Sequence, residues 1–168
     1  MGKSFIHCLN DARRLAKKKL PEMIFDYIDG TALEGDGEKS NFFSFQKMKL
    51  IQNVLSGASI KSTKKKLFNY TFDLPFGIAP MGMCNLVNSK ADLSIARLAK
   101  KFNIPVSFST MASTSLEKTF NITEELGWFQ LYVYDDLKSG LDLALRAQNA
   151  GYKTLILTVD VPDLGRRP

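Results

Sequence analysis

Cysteine, histidine and tryptophan are scarce in this chain of 168 residues, at two, one and one. Cys8 and Cys84 stand far apart with no Cys-x-x-Cys pair, which argues against a disulfide framework or a cysteine-ligated zinc. No metal is expected. No run approaches the ~18–20 apolar residues of a membrane span. The start, Met1-Gly2-Lys3-Ser4-Phe5-Ile6, lacks an apolar leader core, and Ile6 stands where a myristoylation signal carries Ser or Thr. Lone thiols without a leader fit a reducing cytosol. No G-x-G-x-x-G turn is present. With 45% hydrophobic and 24% charged residues, the composition excludes wholesale disorder, collagen and coiled coil. The length suits one domain with a real core.

The net charge of +6 is unevenly placed. Residues 1–20 carry +5, residues 21–46 carry −5, and residues 47–66 hold six lysines and no acid. The remainder balances. Lys17-Lys18-Lys19 and Lys64-Lys65-Lys66 are not interleaved with the aromatics that single-stranded nucleic acid would stack on. They read as a solvated helix end and a solvated loop, and no nucleic-acid partner is expected. The basic N-terminal region is compatible with peripheral contact at the inner face of an anionic membrane.

Residues 9–19 are good helix formers with Leu9, Ala12, Leu15 and Ala16 at apolar positions. Pro21 suits the first turn of a second helix that Gly30 stops. Gly30 to Gly37 reads as loop, and 41–55 show no clear period. From Leu74 the texture becomes a repeated unit. Leu74–Ala79 is a first strand, and Asn88 or Ser89 caps a helix to about Phe102. Ile104–Phe108 is a second strand, and Ser113 or Thr114 opens a short helix through Glu117. Trp128–Val133 is a third strand. Asp135 caps a helix to Ala150 that Gly151 stops, and Lys153–Val159 is a fourth strand.

Strand–helix alternation at this spacing predicts parallel βα units in an α/β fold, with strands apolar on both faces. An open doubly wound sheet and part of a (β/α)8 barrel both fit. The strand ends favour the barrel. Met81-Gly82, Ser109-Thr110, Gln130 with Tyr132, and Thr158 with Asp160 are polar or special groups that packing does not require. A barrel gathers such ends on one catalytic rim, whereas an open sheet would more usually place a glycine-rich phosphate turn after its first strand.

At these residues the sequence resembles the FMN-dependent (S)-2-hydroxy-acid dehydrogenases and oxidases. The blocks that carry the likeness are Leu20-Pro21-x-Met23 with Asp26-Tyr27, Ile78-Ala79-Pro80, Phe108-Ser109-Thr110, Trp128-Phe129-Gln130-Leu131-Tyr132-Val133, and Thr158-Val159-Asp160 followed by Gly165-x-Arg167. The resemblance implies the N-terminal half of a (β/α)8 TIM barrel, with residues 1–73 as a helical lead-in and 74–168 as the first four βα units. It implies FMN as cofactor, held by the backbone around Ala79, Pro80 and Met81 and by the side chains of Ser109, Gln130 and Thr158. These are neutral donors and acceptors suited to a heterocycle. It implies a small 2-hydroxy acid as substrate, most nearly L-lactate, facing Tyr27, Tyr132 and Arg167, with Met111 bearing on substrate size. Asp160 matches the aspartate that orients the catalytic histidine, a role suited to a buried anion.

That histidine, the carboxylate-binding arginine, the lysine beside the flavin and the phosphate site belong to the second half of such a barrel. A whole barrel takes ~250 residues, and the single histidine here, His7, precedes the barrel units. The expectation is therefore a truncated chain, inactive alone, from a protein that is a homo-oligomer when complete. The contrasting expectation is a non-catalytic half-barrel remnant or partner-binding fragment.

Overall fold

A computed structural model describes residues 6–57, 59, 62–134, 136–160 and 165–166. The chain forms two compact units, one of residues 1–58 with 163–168, the other of residues 59–162.

The first unit is helical. Helix α1 (Leu9–Lys19) carries Asp11 in its first turn and Lys17, Lys18 and Lys19 in its last, each matching the helix dipole. Pro21 takes the position just before α2 (Glu22–Asp29), without a side-chain capping bond, and the helix ends at Gly30 and buries Phe25. Arg13 on α1 grips Asp29 on α2 through two bonds of 2.6 and 2.7 Å. A third helix, α3 (Asp36–Lys47), occupies part of the expected loop and of the stretch without clear period. It buries no residue, which is why its sequence shows no apolar stripe. The Leu33 amide donates to the Arg166 carbonyl over 3.0 Å.

The second unit holds the sheet. A hairpin of β1 (Lys65–Leu67) and β2 (Tyr70–Phe72) precedes it. Then come α4 (Ala91–Phe102), β3 (Val106–Ser109), α5 (Leu116–Thr123), β4 (Gly127–Leu131), α6 (Leu137–Ala150) and β5 (Leu155–Leu157). The three later strands pair in parallel in the order β3-β4-β5. Among the described residues the sheet does not close into a barrel.

The expected first strand contracts to one parallel bridge between Ile78 and Val106, bonded at 2.9 Å on each side. Pro75 and Pro80 have no amide to extend a ladder. Gly77 admits the approach, since a Cβ there would lie 2.7 Å from Pro105.

The helix starts also differ from expectation. Asn88 accepts from the Lys90 amide in a local turn, and Lys90 is the residue that precedes α4. Ser115 precedes α5, which runs on to Thr123. Asp136 caps α6, accepting from the Ser139 amide and hydroxyl at 2.8 Å each, while Asp135 lies outside the described residues.

The two faces of the sheet differ. Side chains alternate along a strand, so Phe108, Phe129 and Leu155 share one face and Ser109, Gln130 and Ile156 the other. The first face packs on the helices: Ala96, Ala99, Phe108, Leu116, Phe129, Leu131, Ala147 and Tyr152 form one buried cluster. Burying a side chain such as Phe108 or Phe129 is worth about 1.5–3 kcal/mol. The expectation of strands apolar on both faces thus fails for β3 (VSFS), whose serines lie on the second face. β5 is the edge of the sheet, and its Leu155 and Leu157 are exposed.

Candidate functional site

The second face carries the candidate site at the C-terminal ends of its strands. Ser109 ends β3 and stands in register with Gln130 on β4, which stands in register with Ile156 on β5. Thr158 follows β5, its amide donating to the Leu131 carbonyl at 3.0 Å. The Gln130 side chain donates through Nε2 to Thr158 Oγ1 at 2.8 Å. Three neighbouring strand ends thus present Ser109, Gln130 and Thr158 together, as a set of neutral hydrogen-bonding groups. Gln130 is 1% exposed, and its amide has more donors and acceptors than this one bond uses.

Thr110 ties the strand ends together. Its amide and its hydroxyl both donate to the Gln130 carbonyl, at 2.9 and 2.7 Å. The same hydroxyl accepts from the Tyr132 amide at 3.1 Å. Tyr132 is half-buried, with the exposed Tyr134 ring tilted against it at 5.2 Å between centroids. Burial first and Tyr132 second raise the Tyr134 pKa. Sequence reasoning placed Thr110 among the polar strand ends without a bonding role and did not single out Tyr134. A second polar residue directly after a strand-end serine was the available signal for Thr110.

The loop after the Ile78 bridge carries Ala79, Pro80 and Met81, all exposed. It meets the loop after β3. The Met83 amide donates to the Met111 carbonyl at 2.9 Å, and a Cβ on Gly82 would lie 3.0 Å from that of Met111. Met111 is exposed, its amide donating to Ser109 Oγ at 3.0 Å. Asp160 is exposed in this structure. Tyr27 lies on α2 in the other unit, half of its surface open. Arg167 lies outside the described residues.

Below these polar groups Ser107, Trp128 and Ile156 of the second face line a cavity of about 410 Å³ together with Ile78 and the β1–β2 hairpin. The Phe68 and Phe72 rings meet Trp128 edge-on at 6.0 and 6.5 Å. The hairpin therefore covers the face at the N-terminal end of the strands, and the polar groups occupy the other end. Among the described residues no cluster of His, Cys, Asp or Glu could hold a metal ion, and no helix is long and apolar enough to cross a membrane.

A profile of the family described as FMN-dependent dehydrogenase matches residues 16–168. The chain belongs to the FMN-dependent dehydrogenase family. Among this family's curated members, a 2-hydroxyacid oxidase of Dictyostelium discoideum is 35% identical over 153 residues, covering 90% of this chain and 39% of its own. An L-lactate dehydrogenase of Acinetobacter baylyi is 36% identical over 161 residues, covering 94% and 41%. A soluble mutant of the membrane-associated (S)-mandelate dehydrogenase of Pseudomonas putida superposes with a TM-score of 0.89 at 34% identity, over 97% of this chain and 46% of that one. The chain thus spans about two fifths of the length of its curated relatives and about half of the solved structures. A flavin ring offers nitrogens and carbonyls that neutral donors and acceptors can bond. The Ser109, Gln130 and Thr158 set has that chemistry and sits at the strand ends where barrel enzymes keep their sites.

Proposed function

We propose that this chain supplies the flavin-facing part of an oxidoreductase that converts a small (S)-2-hydroxy acid, most nearly L-lactate, to the 2-oxo acid. In this reading residues 74–168 are four successive βα units of a (β/α)8 barrel, and residues 1–73 lead into them. The observation that carries the proposal is the joint presentation of Ser109, Gln130 and Thr158, with Gln130 buried and bonded to Thr158 at 2.8 Å. Bound FMN would accept the two electrons removed at the substrate's α-carbon.

Each residue then has a part to play. Ser109, Gln130 and Thr158 hold the ring's polar edge, and the backbone at Ala79, Pro80 and Met81 lies against it. Tyr132 offers a phenol to the substrate, with Tyr27 and Arg167 for its carboxylate, and Met111 limits its size. Asp160 orients a histidine base that these 168 residues do not contain, His7 preceding α1. The chain by itself is therefore expected to bind FMN and not to turn over lactate.

The test is titration of the purified chain with FMN, followed by flavin fluorescence. Saturable quenching is expected, weakened roughly tenfold or more in Gln130→Ala, as loss of a buried hydrogen bond implies. Absence of quenching by a folded chain would refute the proposal.

A further inference from the structure

Asp92 is 2% exposed, and none of the ion pairs among the described residues includes it. A buried carboxylate without a cation is costly unless donors surround it. It occupies the second position of α4, where helix N–H groups and the dipole favour an anion. Its other partners come from two loops.

From the loop after β3, the Thr114 amide donates to Asp92 Oδ2 at 2.8 Å. From the loop after the Ile78 bridge, the Cys84 thiol donates to the Met81 carbonyl at 3.9 Å and lies within electrostatic reach of the carboxylate. Burial, and then this carboxylate, raise the thiol's pKa. Asn85 closes the circuit: its Oδ1 accepts from the Asp92 amide at 3.3 Å and its Nδ2 donates to Thr114 Oγ1 at 3.4 Å. Its own amide donates to Ser113 Oγ at 3.3 Å. The two loops joined here are those that carry Met81 and Met111. They touch again through Met83 and Met111.

We propose that Asp92 is a positioning residue: from behind the rim it locks these two loops together and so fixes the backbone that lies against FMN. This rests on the flavin-binding reading above, because the loop from Ala79 to Met83 matters only if the cofactor lies against it. Asp92 itself touches neither cofactor nor substrate.

The test compares the wild-type chain with Asp92→Ala and Asp92→Asn by amide hydrogen exchange, thiol alkylation and FMN titration. Asp92→Asn keeps the volume and one acceptor, so it carries the test if Asp92→Ala does not fold. The Thr114 amide, which donates to Asp92, and the Met83 amide, which donates to Met111 in the same loop, should exchange roughly tenfold faster or more once the carboxylate is lost. The sheet amides of Ser107 and Phe129 should not change. Iodoacetamide should alkylate Cys84 faster in both variants, with the exposed Cys8 as unchanged internal control. The FMN Kd should rise roughly tenfold to a hundredfold.

Loop amides that keep their protection in both variants would overturn the proposal. So would loop and sheet amides that accelerate together, which would make Asp92 a general fold determinant. Loosened loops with an unchanged FMN Kd would also overturn it. If the wild-type chain binds no FMN, the flavin reading falls. The contrast between loop and sheet amides, with Cys84 reactivity, then decides whether Asp92 locks the loops.

Discussion

The hydroxyl of Thr110 lies 2.7 Å from the carbonyl of Gln130, donating to it while accepting from the Tyr132 amide at 3.1 Å. One side chain thus serves the backbone on both sides of Leu131 and fixes how the end of β4 leaves the sheet.

Thr110→Val keeps the shape and removes the hydroxyl. Loss of a donor and an acceptor at a half-buried site should cost about 1–3 kcal/mol, read as a lower urea midpoint. Thr110→Ser retains the hydroxyl and should lie near wild type. Equal losses in both variants would show that the methyl group, not the hydroxyl, matters.

The Gln130–Thr158 bond should behave as a coupled pair. Thr158→Val removes the acceptor of a buried Nε2 and should destabilise by about 1–3 kcal/mol. Adding Gln130→Met removes the donor too, so the double variant should lose less than the sum, with a coupling of about 0.5–3 kcal/mol. Simple additivity in a urea double-mutant cycle would mean that the two side chains act independently.

Tyr152 gives the second unit an alkaline limit. It is 6% exposed, its hydroxyl 2.8 Å from Thr119 Oγ1 and donating to the Leu116 carbonyl at 3.1 Å. Burial pushes its pKa up from 10.0 to about 12, Thr119 pulling the other way. The folded form holds its proton more tightly than the unfolded chain. Its contribution is therefore complete below pH 10 and is lost as pH rises through 12, by roughly 2–3 kcal/mol. Urea midpoints measured from pH 8 to 12 should fall, and Tyr152→Phe should flatten that decline. An unchanged slope in Tyr152→Phe would assign the alkaline loss to other groups.

Gly151 closes α6 at φ +112, donating its amide to the carbonyls of Ala147 and Gln148. A Cβ there would run into the Phe120 ring. Gly151→Ala meets both an unfavourable backbone and a steric clash, and should cost about 2–4 kcal/mol. Thermal unfolding of the variant checks this, and a melting temperature within a degree of wild type would contradict it.

The sequence was most readable where an element buries one face or has charges matched to its ends. Helix α1 begins and ends as expected, at Leu9 and Lys19, and the second, third and fourth expected strands all appear within their predicted spans or one residue beyond them. Helix α3 was illegible because it hides nothing: Phe42, Phe43 and Phe45 are all exposed. The first strand of the β1–β2 hairpin begins in a lysine run, and its three residues are all exposed. Phe68 sits at φ +53 in its turn, where glycine or asparagine would have been the signal. The polar strand ends were visible as residue types. The Thr110 clamp and the Asp92 loop anchor were not, since each joins residues about 20 or more apart in the chain.

Spatial order within the parallel sheet repeats chain order, and each crossover is spanned by one helix. A newly made strand therefore always adds to the edge laid down just before it, with no need to wait for distant sequence. The main apolar layer that holds the sheet lies on the helix side, so the strands can assemble during synthesis while the polar strand ends of the opposite face are still wet. On that ordering, ligand capture would follow assembly of the sheet, and the polar strand ends would already be set when the ligand arrives.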